Sequence, residues 1–177
     1  GDKRWASYVY TPTWSGDGPC EFLQDRVGWV QADAYRGYDA LFSAPDARAI
    51  EVGCWAHTRR GFVDALERDK RAAMGVKLIR DLYAIERDAT ERGLDAEGRK
   101  ALRADRAPPI LADLDKWMKS MTPSVLPKSD LGKAITYATN QWTALTRFLE
   151  DGALELDNNA CERALRPIAV GRKNWLF

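Results

Sequence analysis

The middle of the chain constrains it most. Residues 58–152 read as almost entirely helical, and the periodicity changes on either side. Phe62 to Arg92 carries few helix breakers, and Gly93 stands where a left-handed residue ends a helix. Ala96 to Arg106 is a second helical stretch. Pro108-Pro109 is expected to interrupt or kink it, because proline lacks the amide donor and crowds the preceding turn, and Ile110 to Met121 resumes the pattern. Pro123 and Pro127 mark a loop. Ser129 then sits as an N-cap, and Leu131, Ile135, Ala138, Trp142, Leu145 and Leu149 fall on one apolar stripe of a helix that Gly152 ends. That stripe is core packing, and no chemistry is assigned to it. The charges of this zone mix freely in sign and read as solvated faces.

The flanks differ. In residues 1–57, Trp5 to Thr11 reads as a strand, Pro12 to Pro19 as a turn and Cys20 to Arg26 as a short helix. Val27 to Ala32 is a short apolar run that stops at Asp33. Tyr35 to Phe42 reads as a helix with Tyr38, Leu41 and Phe42 inward, and Ala49 to Trp55 as a second apolar strand. Strands alternating with short helices predict an α/β fold with parallel pairing. In residues 153–177, Asp157-Asn158-Asn159 leads into a helix bearing Glu162, with Pro167 as its expected end. Both termini read as cut: the chain enters its first strand almost at once and stops on Trp175-Leu176-Phe177.

Composition excludes some classes. The formal net charge is +1, so a nucleic-acid surface must come from local clusters of Arg and Lys. Cys20, Cys54 and Cys161 are far apart and odd in number, which argues against a secreted disulfide scaffold. No apolar run approaches a membrane span, and the first residues hold no signal-peptide core. The expectation is a cytoplasmic protein with no membrane partner.

Four groups of residues can carry chemistry, and each has a structural alternative. Asp33 lies at a strand end, where functional groups collect in open α/β sheets and where a carboxylate suits Mg²⁺; it also suits a turn or a helix N-cap. Glu162 fits a capping box with Asn159, or a carboxylate projecting toward Asp33. His57, the only histidine, follows Cys54 in a Cys-x-x-His spacing. Four ligands are usual for structural zinc, and neither Cys20 nor Cys161 is spaced as a partner, so zinc is not expected. A buried Cys beside a hydrogen-bonded His fits better, and His57 could also contact a phosphate. Arg59 and Arg60, Arg163 and Arg166, and Arg172 and Lys173 form basic groups, each close behind a candidate site residue. They suit a rim that positions a DNA strand, or simply a solvated surface.

Four ordered motifs carry a resemblance over essentially the whole chain. They are residues 31–38 around Asp33, residues 53–62 with Cys54-Trp55-Ala56-His57, Leu126-Pro127-Lys128-Ser129, and Asp157-Asn158-Asn159 through Pro167 with Gly171 to Phe177. Together they resemble the transposases of the insertion-sequence sixty-six family. The resemblance implies a ribonuclease-H-like fold with an Asp-Asp-Glu metal triad and Mg²⁺ or Mn²⁺ as cofactor. Asp33 matches the second Asp and Glu162 the Glu, while Cys54 and His57 fall in a family motif of no derived role. Residues 58–152 would be a helical insertion between a partial core over 1–57 and a returning catalytic segment over 153–177. The implied partners are double-stranded DNA and further copies of the chain. The first family Asp has no counterpart here; Asp2 stands in the wrong context. The chain is therefore expected to be N-terminally incomplete and inactive alone. The rival expectation is a non-catalytic DNA-binding or assembly module.

Overall fold

The computed structural model describes residues 7–11, 13 and 15–174, with side chains except at 168, 169 and 171–174. The N-terminal part holds a short helix α1 (Asp17–Leu23), strand β1 (Gly28–Gln31), a second short helix α2 (Asp39–Ser43) and strand β2 (Ala49–Val52). The strands pair in parallel, Trp29 opposite Ile50 and Gln31 opposite Val52, as the alternation of strands and helices predicts. The strand expected over Trp5 to Thr11 is not found: residues 7–11 take no regular structure, and residues 5 and 6 lie outside the described residues.

β2 stops short of Trp55, where the apolar pattern alone would carry it. The reason lies in its amides. Gly53 donates its N–H to the Ala144 carbonyl and Trp55 to the Leu156 carbonyl, so the chain leaves the sheet for the helical zone. Trp55 then opens α3 (Trp55–Leu66). The helix expected to run unbroken from Phe62 to Arg92 is split. Asp69 adopts an extended backbone, and its carboxylate accepts the N–H of Arg71, which starts a new helical turn. From there α4 (Ala73–Glu91) runs to the stop at Gly93, whose φ of +61° is the left-handed residue expected.

The next helix overrides the sequence rule. α5 (Ala96–Met121) passes through Pro108-Pro109 without a break. Both prolines are exposed, as are Ala104 and Asp105, whose carbonyls lose their amide partners; water can serve them. Ala107, Leu111, Leu114 and Met118 on the opposite side are buried, and their packing outweighs the missing bonds. The expected long helix after Ser129 is instead α6 (Asp130–Asn140) and α7 (Trp142–Thr146), separated at Gln141. Ser129 caps α6 as expected, accepting the N–H of Gly132 at 3.1 Å. The apolar stripe survives the break: Leu131, Ile135, Ala138 and Leu145 are buried, with Trp142 and Leu149 packed against them. The final helix α8 (Asn159–Asn174) continues through Pro167, which was expected to end it.

One apolar core joins α3 to α7 and reaches Leu156 in the segment before α8. Trp55, fully buried, donates its indole N–H to the Leu145 carbonyl at 2.8 Å. The α4–α5 hairpin is fastened to the returning chain by Arg103, a charge with no solvent exposure. Its guanidinium grips Glu86 through two bonds of 2.8 Å and donates to the carbonyls of Phe148, Asp151 and Leu154. A buried ion is tolerable only when its donors are so fully used. Among the described residues no helix is long and apolar enough to cross a membrane.

Candidate carboxylate and imidazole site

Two parts of the fold bring the candidate residues together: the carboxyl end of β1 and the junction of β2, α3 and α8. Asp33 lies two residues past β1. Its carboxylate accepts the N–H of Tyr35 at 3.3 Å, so the turn reading holds locally. Its carbonyl accepts the hydroxyl of Tyr137 from α6 at 3.2 Å. Ala34 has a φ of +61°, a conformation non-glycine residues seldom adopt, and this bends the chain directly after Asp33.

The capping-box reading of Glu162 does not hold. Helix α8 begins at Asn159, and the Asn158 carbonyl takes the N–H groups of Cys161 and Glu162. The side chain that serves the helix start is Asp157, whose carboxylate accepts the backbone N–H of Asn159 at 3.0 Å and its side-chain amide at 2.7 Å. Glu162 is thus released from its own helix end, and its Oε1 lies 3.5 Å from Nε2 of His57. The other ring nitrogen, Nδ1, is 3.2 Å from the Cys54 sulfur. Cys54 in turn donates its thiol to Oδ1 of Asn158 at 3.1 Å. Cys54, His57, Glu162 and Asn158 therefore close a ring of polar contacts across the start of α3 and the start of α8.

Electrostatics assigns Cys54 a passive part. Burial pushes its thiol above the ordinary cysteine range, outweighing the hydrogen bonds from Asn158 and His57 that favour the thiolate. A protonated, buried thiol is a poor nucleophile and a poor zinc ligand. The expectation of a buried Cys beside a hydrogen-bonded His is met, just past the end of β2 where α3 begins.

Three residues that the sequence did not single out complete the site. Tyr83, on α4, donates its hydroxyl to Asp157 at 2.7 Å, and burial with that bond holds its phenol protonated far above the usual range. Burial pushes Tyr137 up to about 12. Asn158 ties Cys54 to α8. No spacing rule flags either tyrosine, because each contact spans a long separation in sequence. Burial, and then the charges of Asp33 and Cys161, push the phenol of Tyr38 above the ordinary tyrosine range.

Arg59 and Arg60 line an open cleft of about 440 Å³ between α3 and α4. Arg163 and Arg166 are exposed on α8. Arg172 and Lys173 fall within α8, but their side chains lie outside the described residues.

Asp33 and Glu162 are hard-oxygen donors of the type that holds Mg²⁺, an ion bound through one or two carboxylates with water and phosphate oxygens. Among the described residues no group of three His, Cys, Asp or Glu side chains is arranged to hold a metal ion, so the two carboxylates match the donor type without forming a complete cage.

A two-stranded parallel sheet with a carboxylate just past one strand end, a largely helical remainder, a second carboxylate held beside His57 and a basic cleft are what the described residues present. The family model described as Transposase IS66 family matches residues 1–177, and the chain belongs to that family. It is 32% identical over 189 residues to "Uncharacterized protein y4hP" of Sinorhizobium fredii (strain NBRC 101917 / NGR234), covering 97% of this chain and 34% of that protein. It is 37% identical over 179 residues to "Uncharacterized protein y4qI" of the same organism, covering 97% of this chain and 33% of that protein. The chain thus spans about a third of the length of these curated relatives. No solved structure matches it.

Proposed function

We propose that this chain is part of the catalytic domain of a DNA transposase, with a ribonuclease-H-like core interrupted by the helical zone 58–152. In this reading Asp33 and Glu162 would hold Mg²⁺ or Mn²⁺, whose charge would supply activation of the attacking oxygen and stabilisation of the leaving one in phosphodiester hydrolysis and strand transfer. The chain's own residues supply position. Tyr137 and the bend at Ala34 hold the Asp33 segment, and His57, steadied by Cys54, orients the carboxylate of Glu162. The observation that carries the reading is that Glu162 does not close its own helix and turns to His57 instead. Family membership supplies the reaction class.

The test uses the chain with its upstream coding residues and a duplex carrying the element's ends. Mg²⁺-dependent cleavage that Asp33→Asn and Glu162→Gln each abolish is the expected result. Cleavage that persists in both variants sinks the assignment. A second reading, a non-catalytic DNA-binding or assembly module that pairs with further copies of the chain, is favoured by one observation: only two carboxylates of a triad are assigned, while the basic cleft is complete. It predicts DNA binding without cleavage even when the upstream residues are restored.

A further inference from the structure

We propose that the cleft between α3 and α4 is a groove for the phosphodiester backbone of duplex DNA, to which the helical zone contributes Arg80 and Arg87. The inference rests on the transposase reading for the identity of its ligand. On α3, Ala56, Arg59, Arg60 and Val63 face the cleft; on α4, Arg80, Tyr83 and Arg87 do. These are the three- and four-residue steps that normally build a buried apolar stripe. Here they bring four guanidinium groups to one concavity whose lining includes no carboxylate.

The counter-charges are few. Arg59, Arg60 and Arg87 form no ion pair with a described residue. Arg80 has only Asp81 at 3.8 Å, and that carboxylate already takes Lys77 at 2.8 Å. Some arginines outside the cleft are closely paired, as in Arg103–Glu86 and Arg68–Asp130, both at 2.8 Å. Four like charges gathered with a single long ion pair among them repel one another until an anion enters, and the guanidinium fork matches a phosphate.

A chain of polar contacts also links the cleft to Glu162. Tyr83 and Asn159 line it, and both bond Asp157. Asn158, the next residue, holds Cys54, which contacts His57 and through it Glu162.

The test is a titration of a fluorescein-labelled duplex by anisotropy, in EDTA, from about 50 to 200 mM salt, a range over which phosphate contacts dominate affinity. Replacing Arg80 and Arg87 together by Ala is expected to lower the slope of log affinity against log salt by about two, near one per arginine. Replacing both by Lys keeps the charge and retains the slope. Replacing Lys116 and Lys119 by Ala removes as much charge outside the cleft and leaves the slope unchanged. An unaltered slope in the Ala pair, an equal loss in the Lys116 and Lys119 control, or a chain that binds polyglutamate but not duplex DNA would overturn the proposal. Because EDTA removes catalysis, this titration reads the groove alone: a failed groove appears as binding indifferent to positions 80 and 87, while a failed metal assignment appears only in the separate Mg²⁺ assay, as cleavage that persists in Asp33→Asn and Glu162→Gln.

Discussion

The imidazole of His57 sits between two partners, with Nε2 3.5 Å from Glu162 and Nδ1 3.2 Å from the Cys54 sulfur. Where Glu162 holds the proposed metal ion, a residue that orients its carboxylate tunes metal affinity more than it tunes folding. His57→Ala is therefore expected to raise the Mg²⁺ concentration needed for half-maximal cleavage by roughly 10–100-fold. The thermal midpoint should move little. An unchanged Mg²⁺ requirement would show that His57 has no part in orienting Glu162.

Arg103 gives a stability prediction. Arg103→Ala strands the carboxylate of Glu86 in a mostly buried position and frees three carbonyls, and breaking such a pair costs about 3–5 kcal/mol. Replacing both residues by apolar ones of similar size should recover much of that loss. Urea denaturation of the single and double variants measures it, and a single variant within about 1 kcal/mol of wild type contradicts the scale.

High pH should weaken the fold through groups held protonated. Tyr83, Tyr137 and Cys54 all release their protons later in the folded chain than in the unfolded one, where the ordinary values are 10.0 for Tyr and 9.0 for Cys. Between the two values the unfolded chain binds fewer protons, so stability is complete below about pH 9 and falls as pH rises toward 12. Thermal midpoints from pH 8 to 11 should decline accordingly, and Tyr83→Phe should flatten part of the decline. The same protection predicts that Cys54 resists alkylation in the folded chain while the exposed Cys161 reacts. A mass spectrum showing equal modification of both would oppose this.

Gly152 is buried, and a Cβ placed there would meet the Ala96 carbonyl oxygen at 1.7 Å. Gly152→Ala must push the α5 start away from the returning loop, at a cost of about 1–3 kcal/mol or more. Denaturation midpoints check it, and a neutral effect would mean that the loop yields freely.

Local chemistry made much of this legible beforehand. The Ser129 cap, the Gly93 stop, the two strands and the stripe from Leu131 to Leu149 follow from rules that act within a few residues. The misjudged points are those where distant contacts decide. Pro108-Pro109 stays helical because Leu111 and Leu114 beyond it are locked into the core, and β2 ends early because Ala144 and Leu156 claim the next amides. Asp33, Glu162, Cys54 and His57 were visible as chemistry-bearing residues, and the capping-box pattern at Asn159 hid the freedom of Glu162. Tyr83, Tyr137 and Arg80 carried no signal, since their roles arise from helices that meet only in the folded chain.

The position of Arg103 at the root of the α4–α5 hairpin has a mechanical meaning. The same guanidinium clamps α4 through Glu86 and the loop that leads to α8 through three carbonyls. α4 and that loop are thereby fastened to a single charge, so neither can shift without giving up hydrogen bonds of the other.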